Sequence, residues 1–414
     1  MSDGYKKISS CRISGSKNLV SVLDLGQQSL TGIFPVSPNE AVAVAPIELV
    51  WCSDSGLVQL AHNFNSDEMF GENYGYRSGL NQSMVSHLTA KIANLEKTVQ
   101  LRAGDVIVDI GSNDATTLKS YRTPGLQRIG IDPTANKFRE FYTDDINLVA
   151  DFFSAEAFHS TCPGGKARIV TSIAMFYDLE QPIEFARQIE SILANDGIWH
   201  LEQSYLPSML KANSYDTICH EHLEYYSLHS IQAIMQAARL RIVDVAQNDI
   251  NGGSFAVTVA KQSNSSMRAN EAVIRWMLEQ EVRMGLHTLL PYQEFAERVR
   301  GHREDLRRLI RALVDDGKTI LGYGASTKGN VLLQYCGFSN ADISAIAEVN
   351  IEKFGRVTPG THIPIISEAD AEAMQPDYYL VLPWHFKDSI LRREVTYRQR
   401  GGRFIFPFPE IQII

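Results

Sequence analysis

A run of nine residues, Val106 to Asp114 (VIVDIGSND), constrains the fold more than any other part of the chain. Its first half is apolar and β-branched, which predicts a buried strand, and the strand ends in an acidic turn containing Gly111. Glycine allows a left-handed turn and lets a ligand approach where a Cβ atom would block it. The run therefore predicts the first strand and ligand-binding turn of a doubly wound α/β domain.

An acidic residue at the end of a second predicted strand indicates which ligand binds at the turn. Asp132 and Pro133 follow a predicted strand about 20 residues later, where a carboxylate can accept hydrogen bonds from a ribose diol. A dinucleotide fold would show Gly-x-Gly-x-x-Gly, whereas Gly111 is followed by three polar residues. The pattern favours S-adenosylmethionine (SAM) over NAD, and a plain βαβ unit in which Asp132 caps a helix stays open.

Charge and cysteine content exclude several classes of protein. With 48 acidic and 39 basic residues, a net charge of -9 and no Lys/Arg block, the chain is not expected to bind nucleic acid. Five scattered cysteines argue against a disulfide framework and for a reducing compartment. Without an apolar run near 18 residues or a signal-peptide core, we expect a cytoplasmic protein that does not enter a membrane. Its oligomeric state stays open.

Length and periodicity divide the 414 residues into several units. The predicted parts are a small turn-rich domain (1–78), a central nucleoside-binding α/β domain (79–262), a helical connector (263–315) and a second α/β domain (316–414). In the central domain, strands alternate with helices, which predicts a parallel sheet with its site at the carboxyl ends of the strands. An acid and an aromatic residue there could hold adenine, although Phe152 could equally be core. The predicted cofactor-binding residues are Asp109, Gly111, Asn113, Asp132, Pro133, Asp151, Phe152 and Ser172.

The densest group of reactive side chains lies between Tyr215 and Tyr226 and contains His220, Glu221 and His222. Zinc proteases place two histidines four apart on one helical face, whereas these two are two apart. Glu221 could instead fix the tautomer of an imidazole that acts as a general base near neutral pH. Packing hydrogen bonds are the alternative for each histidine.

The second α/β domain begins with a strand that ends in a Gly-x-Gly-Ala turn, Gly322 to Ala325. The start of the following helix and the Lys328 ammonium would favour a phosphate, although such a turn can also simply pack a helix on a strand. Later loops carry aromatic and cationic side chains that could stack on a nucleotide. The predicted substrate-binding residues are Tyr215, Asn251, Tyr323, Ser326, Lys328, His362 and Trp384.

Two short motifs in the first domain look like half of a zinc site. Cys11-x-x-Ser14 and Cys52-x-x-Ser55 are C-x-x-C knuckles whose second cysteine is serine. Tetrahedral zinc needs further soft ligands, such as His62, because serine hydroxyls do not replace thiolates at neutral pH. We therefore expect no bound metal here, and interpret the unit as a zinc-ribbon-like fold with two buried cysteines.

Together, the two knuckles, the Asp109–Asp114 turn, His220–His222, the Gly322–Ala325 turn and the C-terminal run FIFPFP resemble the three-domain sugar C-methyltransferases. The resemblance implies a zinc-ribbon-like N-terminal domain, a central Rossmann-like SAM domain and a C-terminal Rossmann-like domain that binds a nucleotide-linked sugar. It also implies methylation of a 4-keto-deoxy sugar through an enolate, in the biosynthesis of branched sugars.

The same resemblance implies roles for individual residues. His222 falls on the general base of the family, Glu221 on its acidic partner, and Tyr76 on a tyrosine that reaches the active site. Family members can carry a further tyrosine where this chain has Cys219, and a thiol does not donate to an enolate as a phenol does. Either His220 or Tyr215 takes over that role, or the substrate or reaction differs.

Three other functions stay open on the residues alone. They are SAM-dependent methylation at oxygen or nitrogen of a related metabolite, a nicotinamide-dependent dehydrogenase or epimerase, and a non-catalytic protein that binds SAM and a nucleotide sugar. The missing third glycine after Gly324 argues against the nicotinamide enzyme.

Overall fold

The computed structural model describes residues 4–64, 69 and 76–414, and the statements below refer to these residues. They form four sheets. The strands are β1 (Tyr5–Lys7), β2 (Leu19–Ser29), β3 (Val44–Cys52), β4 (Val58–Leu60), β5 (His62–Phe64), β6 (Val106–Ile110), β7 (Gln127–Ile131), β8 (Ile146–Val149), β9 (Ala167–Ile173), β10 (Leu193–Ser204), β11 (Glu224–Tyr225), β12 (Leu240–Asn248), β13 (Ser254–Lys261), β14 (Ile320–Tyr323), β15 (Ile346–Glu348), β16 (Ile365–Ser367), β17 (Tyr378–Val381), β18 (Arg403–Phe406) and β19 (Gln412–Ile413).

Helices connect the strands of the two larger sheets and cover them. They are α1 (Gln82–Val99), α2 (Thr116–Lys119), α3 (Ala155–Thr161), α4 (Pro182–Ile192), α5 (Leu206–Ala212), α6 (Leu228–Ala237), α7 (Glu271–Arg283), α8 (Leu290–Asp315), α9 (Thr327–Cys336), α10 (Glu368–Ala373), α11 (Lys387–Arg393) and α12 (Val395–Gln399). Among the described helices, none is both long and apolar enough to cross a membrane.

The central sheet has seven strands in the order β12-β13-β10-β9-β6-β7-β8. Strands β6 to β10 run parallel, and β13 is antiparallel to both of its neighbours. The apolar first part of the run Val106 to Asp114 forms β6, which is fully buried between β7 and β9. The carboxyl ends of these three strands therefore meet at one edge, where a ligand site of a doubly wound sheet forms.

The N-terminal sheet has the order β11-β4-β3-β2. Its fourth strand, β11, comes from far along the chain and pairs Glu224 with Gln59. Because β11 begins two residues after His222, the segment carrying the predicted base is attached directly to the N-terminal sheet.

The C-terminal sheet has six strands in the order β16-β15-β14-β17-β18-β19, parallel except for the last. It is packed with β2, β3 and α8 around a single apolar core that also includes Tyr215 and Cys219. All three parts of the chain thus share buried contacts near the predicted site.

Candidate active site

The turn after β6 has the backbone shape that a close ligand requires. Gly111 has a φ of +72°, and a Cβ atom on it would lie 3.2 Å from Met175 Cγ. Its amide donates to the Ile131 carbonyl oxygen at 2.9 Å, which joins the turn to β7. A larger residue would strain the backbone and crowd the turn, so glycine is required at this position.

Asp132 is fixed against this turn. Its Oδ2 accepts from the Asn113 amide at 2.7 Å, and its Oδ1 accepts from the Thr134 amide at 2.6 Å. Pro133, between the two contacts, is partly buried. Carboxylate and glycine turn are therefore held in one rigid unit at the strand ends, as binding of a nucleoside ribose requires.

The Asn113 side chain connects this turn to the segment before α1. Its Nδ2 donates to the Tyr76 carbonyl oxygen at 3.1 Å, and its Oδ1 accepts from the Ser78 amide at 3.0 Å. The Gly79 amide donates to Asp114 at 2.9 Å. Tyr76 is 47% exposed, so the structure places it on the rim of the turn.

Four other predicted cofactor-binding residues lie in different surroundings. Asp109 is buried beneath the turn, where the Thr171 hydroxyl donates to it and burial raises its pKa to about 7. Ser172 is fully buried and accepts from the Trp199 indole N–H at 2.9 Å. Asp151 and Phe152 are exposed after β8. The structure thus brings Gly111, Asn113 and Asp132 together, and turns Asp109 and Ser172 into the interior.

His222 is oriented by the backbone of its own segment. Its Nδ1 lies 2.8 Å from the Thr217 carbonyl oxygen, and its ring packs 4.2 Å from that of Tyr177. Because a carbonyl can only accept, Nδ1 carries the proton in the neutral ring, and Nε2 keeps its lone pair. Burial lowers the pKa of His222 to about 4, with Glu221 opposing the shift and Lys328 adding to it. The imidazole is therefore a neutral base at physiological pH.

Glu221 lies where all three domains meet. Its Oε2 accepts from the Thr31 hydroxyl at 3.3 Å, and the Thr31 carbonyl accepts from Asn330 Nδ2 at 2.8 Å. A Cβ atom on Gly32 would lie 2.8 Å from Glu221 Oε1. The N-terminal domain thus inserts a tight turn between Glu221 and α9. Sequence analysis missed Thr31, Gly32 and Asn330, and no local motif identifies them.

The structure does not bring His220 or Tyr215 to the His222 imidazole. His220 is fully buried, with Nε2 3.2 Å from the Ala45 carbonyl oxygen and its ring against Phe64. The Tyr215 hydroxyl lies 3.0 Å from His302 Nδ1 in the C-terminal core. Cys219 is also fully buried, and burial raises the pKa of its thiol, which makes it a poor nucleophile.

The predicted residues of the C-terminal domain separate into two groups. Ser326 caps α9 by accepting from the Gly329 amide, the Tyr323 hydroxyl donates to Glu394 at 2.8 Å, and His362 is exposed in a turn. Three others lie where this domain meets the central one. They are Lys328 and Trp384 of the C-terminal domain and Asn251 of the central domain. The Asn251 carbonyl oxygen accepts from Lys328 Nζ at 2.8 Å, and Trp384 Nε1 donates to Asp216 at 2.8 Å.

One acidic residue of this domain was missed, although a signal for it exists. Glu348 ends β15 and accepts from the Ala325 amide at 2.7 Å, as Asp132 accepts from the turn after β6. The same rule that identified Asp132, an acid at the end of the second strand, applies to Glu348.

The two knuckles bring their four side chains together in pairs. Cys11 Sγ lies 3.2 Å from Ser55 Oγ, and Ser14 Oγ lies 3.6 Å from Cys52 Sγ. Among the described residues no group of three or more His, Cys, Asp or Glu side chains could hold a metal, so His62 does not complete the set. Two thiols and two hydroxyls do not fit a structural zinc ion. The knuckle still positions Arg12, whose buried guanidinium lies 3.5 Å from Glu224.

Replacing both serines should restore a zinc site. We expect the Ser14→Cys/Ser55→Cys double variant to bind about one zinc per chain and to melt at a higher temperature with zinc than without it. The wild type should purify without stoichiometric zinc by elemental analysis. Ser16→Cys/Ser53→Cys is the matched control, because both of those hydroxyls face Asp54 rather than the thiols. Stoichiometric zinc in the wild type would contradict this assignment.

Comparison with known proteins identifies the family of the chain. Three family models match the chain: a C-methyltransferase C-terminal domain over residues 249–409, a proposed zinc binding domain over 11–70 and a methyltransferase domain over 82–245. The C-methyltransferase NovU of Streptomyces niveus is 33% identical over 417 residues, covering 100% of this chain and 99% of that protein.

Solved structures resemble the chain more weakly. A SAM-dependent methyltransferase from Clostridium acetobutylicum is 10% identical and covers 43% of this chain and 92% of its own, with a TM-score of 0.34. The mitomycin 7-O-methyltransferase MmcR is 15% identical and covers 44% of this chain and 55% of its own, also with a TM-score of 0.34. Neither likeness supports an argument about function. The full-length match to NovU and the family models do support such an argument. The chain belongs to the C-methyltransferase family that includes NovU, and it is a SAM-dependent methyltransferase.

Proposed function

We propose that this enzyme methylates the carbon next to the ketone of a nucleotide-linked 4-keto-deoxy sugar, with His222 as the general base. The observation that carries the proposal is the orientation of His222, whose Nδ1 donates to the Thr217 carbonyl oxygen while Nε2 has no hydrogen-bond partner among the described residues. A neutral imidazole is too weak to deprotonate an ordinary C–H bond, so the substrate must acidify that bond with an adjacent carbonyl.

When bound, SAM supplies an electrophilic methyl group. The His222 imidazole takes the proton, the C–H electron pair forms a C=C bond, and the carbonyl oxygen becomes negative. The substrate carbon would then form a bond to the methyl group as the C=O bond returns, and the methyl–sulfur bond would break to leave S-adenosylhomocysteine. Asp132 and the Gly111 turn would hold the SAM ribose, and Tyr76 lies on the rim of the same turn.

Features of the C-terminal domain favour a substrate that carries a nucleotide. Gly324 has a φ of +80°, and its turn lies at the carboxyl end of a parallel sheet, with Glu348 fixed to the following amide. This strand, turn, helix and acid repeat the arrangement at Asp132 in the central domain. A nucleoside site in each of the two domains suits a reaction between SAM and a nucleotide-linked sugar.

The test is mass spectrometry of products in deuterated water. We expect incubation with SAM and a panel of nucleotide-linked 4-keto-6-deoxyhexoses to give a product heavier by one methyl group on carbon. With S-adenosylhomocysteine in place of SAM, the same sugar should gain deuterium at the carbon next to its ketone. A methyl group on oxygen without deuterium exchange, or SAM binding with no turnover of any sugar, would contradict the proposal.

A further inference from the structure

Lys328 reaches from the C-terminal domain to the central domain and is not free at the surface. It belongs to the first turn of α9, where sequence analysis expected it to face a phosphate. Its Nζ instead donates to the Asn251 carbonyl oxygen at 2.8 Å, in the turn between β12 and β13 of the central domain. The side chain is partly buried, so the ammonium is directed across the contact between the two domains.

The residues around Lys328 are connected to His222, the proposed base, through one turn. Helix α9 packs against the turn Tyr215–Thr217, and the Thr217 carbonyl holds Nδ1 of His222. Asp216, in the same turn, accepts from the Trp384 indole with one carboxylate oxygen, and its other oxygen is buried with no hydrogen-bond partner among the described residues. The Lys328 charge acts on Asp216, Cys219, His222 and His385. The Lys328 charge therefore acts on residues of the segment that carries His222 as well as on its own domain.

Of the two charges that act on His222, Glu221 is negative and Lys328 is positive. An enolate needs a positive or hydrogen-bonding group at the oxygen where charge develops, and such groups are worth most where water is excluded. Cys219 cannot supply this, since it is fully buried as a neutral thiol, and His220 and Tyr215 face other partners. Among the described groups that act on His222, Lys328 is the remaining cation that could stabilise the enolate oxygen.

We infer that the Lys328 ammonium stabilises the enolate oxygen of the substrate while His222 removes the neighbouring proton. The inference rests on the proposed function. As the proton moves to Nε2 of His222, the C–H electron pair becomes the C=C bond and the carbonyl oxygen takes a negative charge opposite Lys328. Methyl transfer returns the C=O bond, and His222 releases its proton to water.

The same cation has a second effect that can be measured separately. It adds to the lowering of the His222 pKa, which burial begins and Glu221 opposes. Removing the charge should therefore raise the pKa of His222. No other ionisable group acts on this imidazole among the described residues, and its ring otherwise contacts Tyr177. The shift reports where the ammonium lies, and the rates of exchange and methylation report what it does there.

The test compares Lys328→Met, Lys328→Arg and a control, Lys387→Met. Lys387 is a partly buried lysine of the same domain whose Nζ donates to Gln412. For each variant we would measure deuterium exchange at the carbon next to the ketone with S-adenosylhomocysteine present, kcat and KM for methylation, the pH profile of exchange and Tm. The substrate is the nucleotide-linked 4-keto-6-deoxyhexose that the wild type methylates.

We expect Lys328→Met to slow both exchange and methylation by about 10²- to 10³-fold, with KM changed only a few-fold. Its exchange rate should begin to fall at a higher pH than in the wild type, Lys328→Arg should recover part of the rate, and Lys387→Met should keep it. A raised KM with unchanged kcat and exchange would assign Lys328 to phosphate, and a lowered Tm alone would make it structural; either overturns the inference. If the wild type exchanges no proton with any sugar, the proposed function fails and this role fails with it.

Discussion

His222→Gln will lower kcat by on the order of 10²- to 10⁴-fold and will leave the affinity for SAM within a few-fold of the wild type. Glutamine can still donate to the Thr217 carbonyl oxygen, which His222 Nδ1 contacts at 2.8 Å, so the local fold should persist. The variant lacks a basic nitrogen to accept the substrate proton. Steady-state kinetics together with calorimetric titration of SAM would separate the two effects.

His220→Gln is the matched control, two residues away in the same segment. His220 Nε2 contacts the Ala45 carbonyl oxygen, and its ring packs on Phe64, so its loss should lower Tm rather than kcat. Equal losses of kcat in both variants would mean that the segment, rather than one imidazole, is what activity requires. A large loss of SAM affinity in His222→Gln would also count against the assignment of the base.

The pH profile gives an independent check on His222. Its pKa of about 4 in the folded enzyme means that kcat/KM should stay level from neutral pH down to about pH 5, and fall only as pH approaches 4. An unperturbed histidine would produce the fall near 6.5. The same shift makes the folded state less stable as pH falls from about 6.5 toward 4, because the unfolded chain then binds the proton more readily. Each rate must therefore be compared with Tm at the same pH.

Local patterns predicted much of the central domain. The β-branched run before Gly111 forms β6, Val106–Ile110. The stretch predicted as a helical connector (263–315) contains α7, Glu271–Arg283, and α8, Leu290–Asp315. These elements were predictable because periodicity and glycine turns involve residues close in sequence.

Contacts between distant segments could not be predicted in this way. Strand β11 is two residues long and joins a sheet that ends more than 160 residues earlier in the chain. The hydrogen bond from the Thr31 hydroxyl to Glu221 also joins two segments that are 190 residues apart and share no motif. Such pairings are determined by how the domains pack, and a short polar segment carries no sign of its partner.

Side-chain direction limits the site prediction in a different way. The start of α9 predicted a phosphate partner for Lys328, and the structure directs its Nζ to the Asn251 carbonyl oxygen of the other domain, while Tyr215 faces His302. Spacing identifies which residues lie at the end of a strand or the start of a helix. It does not determine which of two packed domains a long side chain reaches, because that depends on the angle at which the domains meet.

Asp132→Ala will weaken SAM binding by roughly 1–3 kcal/mol, which corresponds to about a 5- to 150-fold higher Kd. The substitution removes the carboxylate proposed to accept from the ribose. It also frees the Asn113 amide, which Asp132 now holds at 2.7 Å, so the Gly111 turn should lose its fixed shape. At saturating SAM, kcat should stay within a few-fold of the wild type, because His222 lies outside these contacts.

Asp145→Ala is the control for Asp132→Ala. Asp145 precedes β8 at the opposite edge of the same sheet, where its carboxylate is largely exposed and contacts Arg128 at 2.7 Å. Calorimetric titration of SAM into both variants should show a loss of affinity in Asp132→Ala only. Unchanged affinity in Asp132→Ala would place the ribose elsewhere along the strand ends. An equal loss in Asp145→Ala would mean that damage to the sheet, rather than a missing ribose contact, weakens binding.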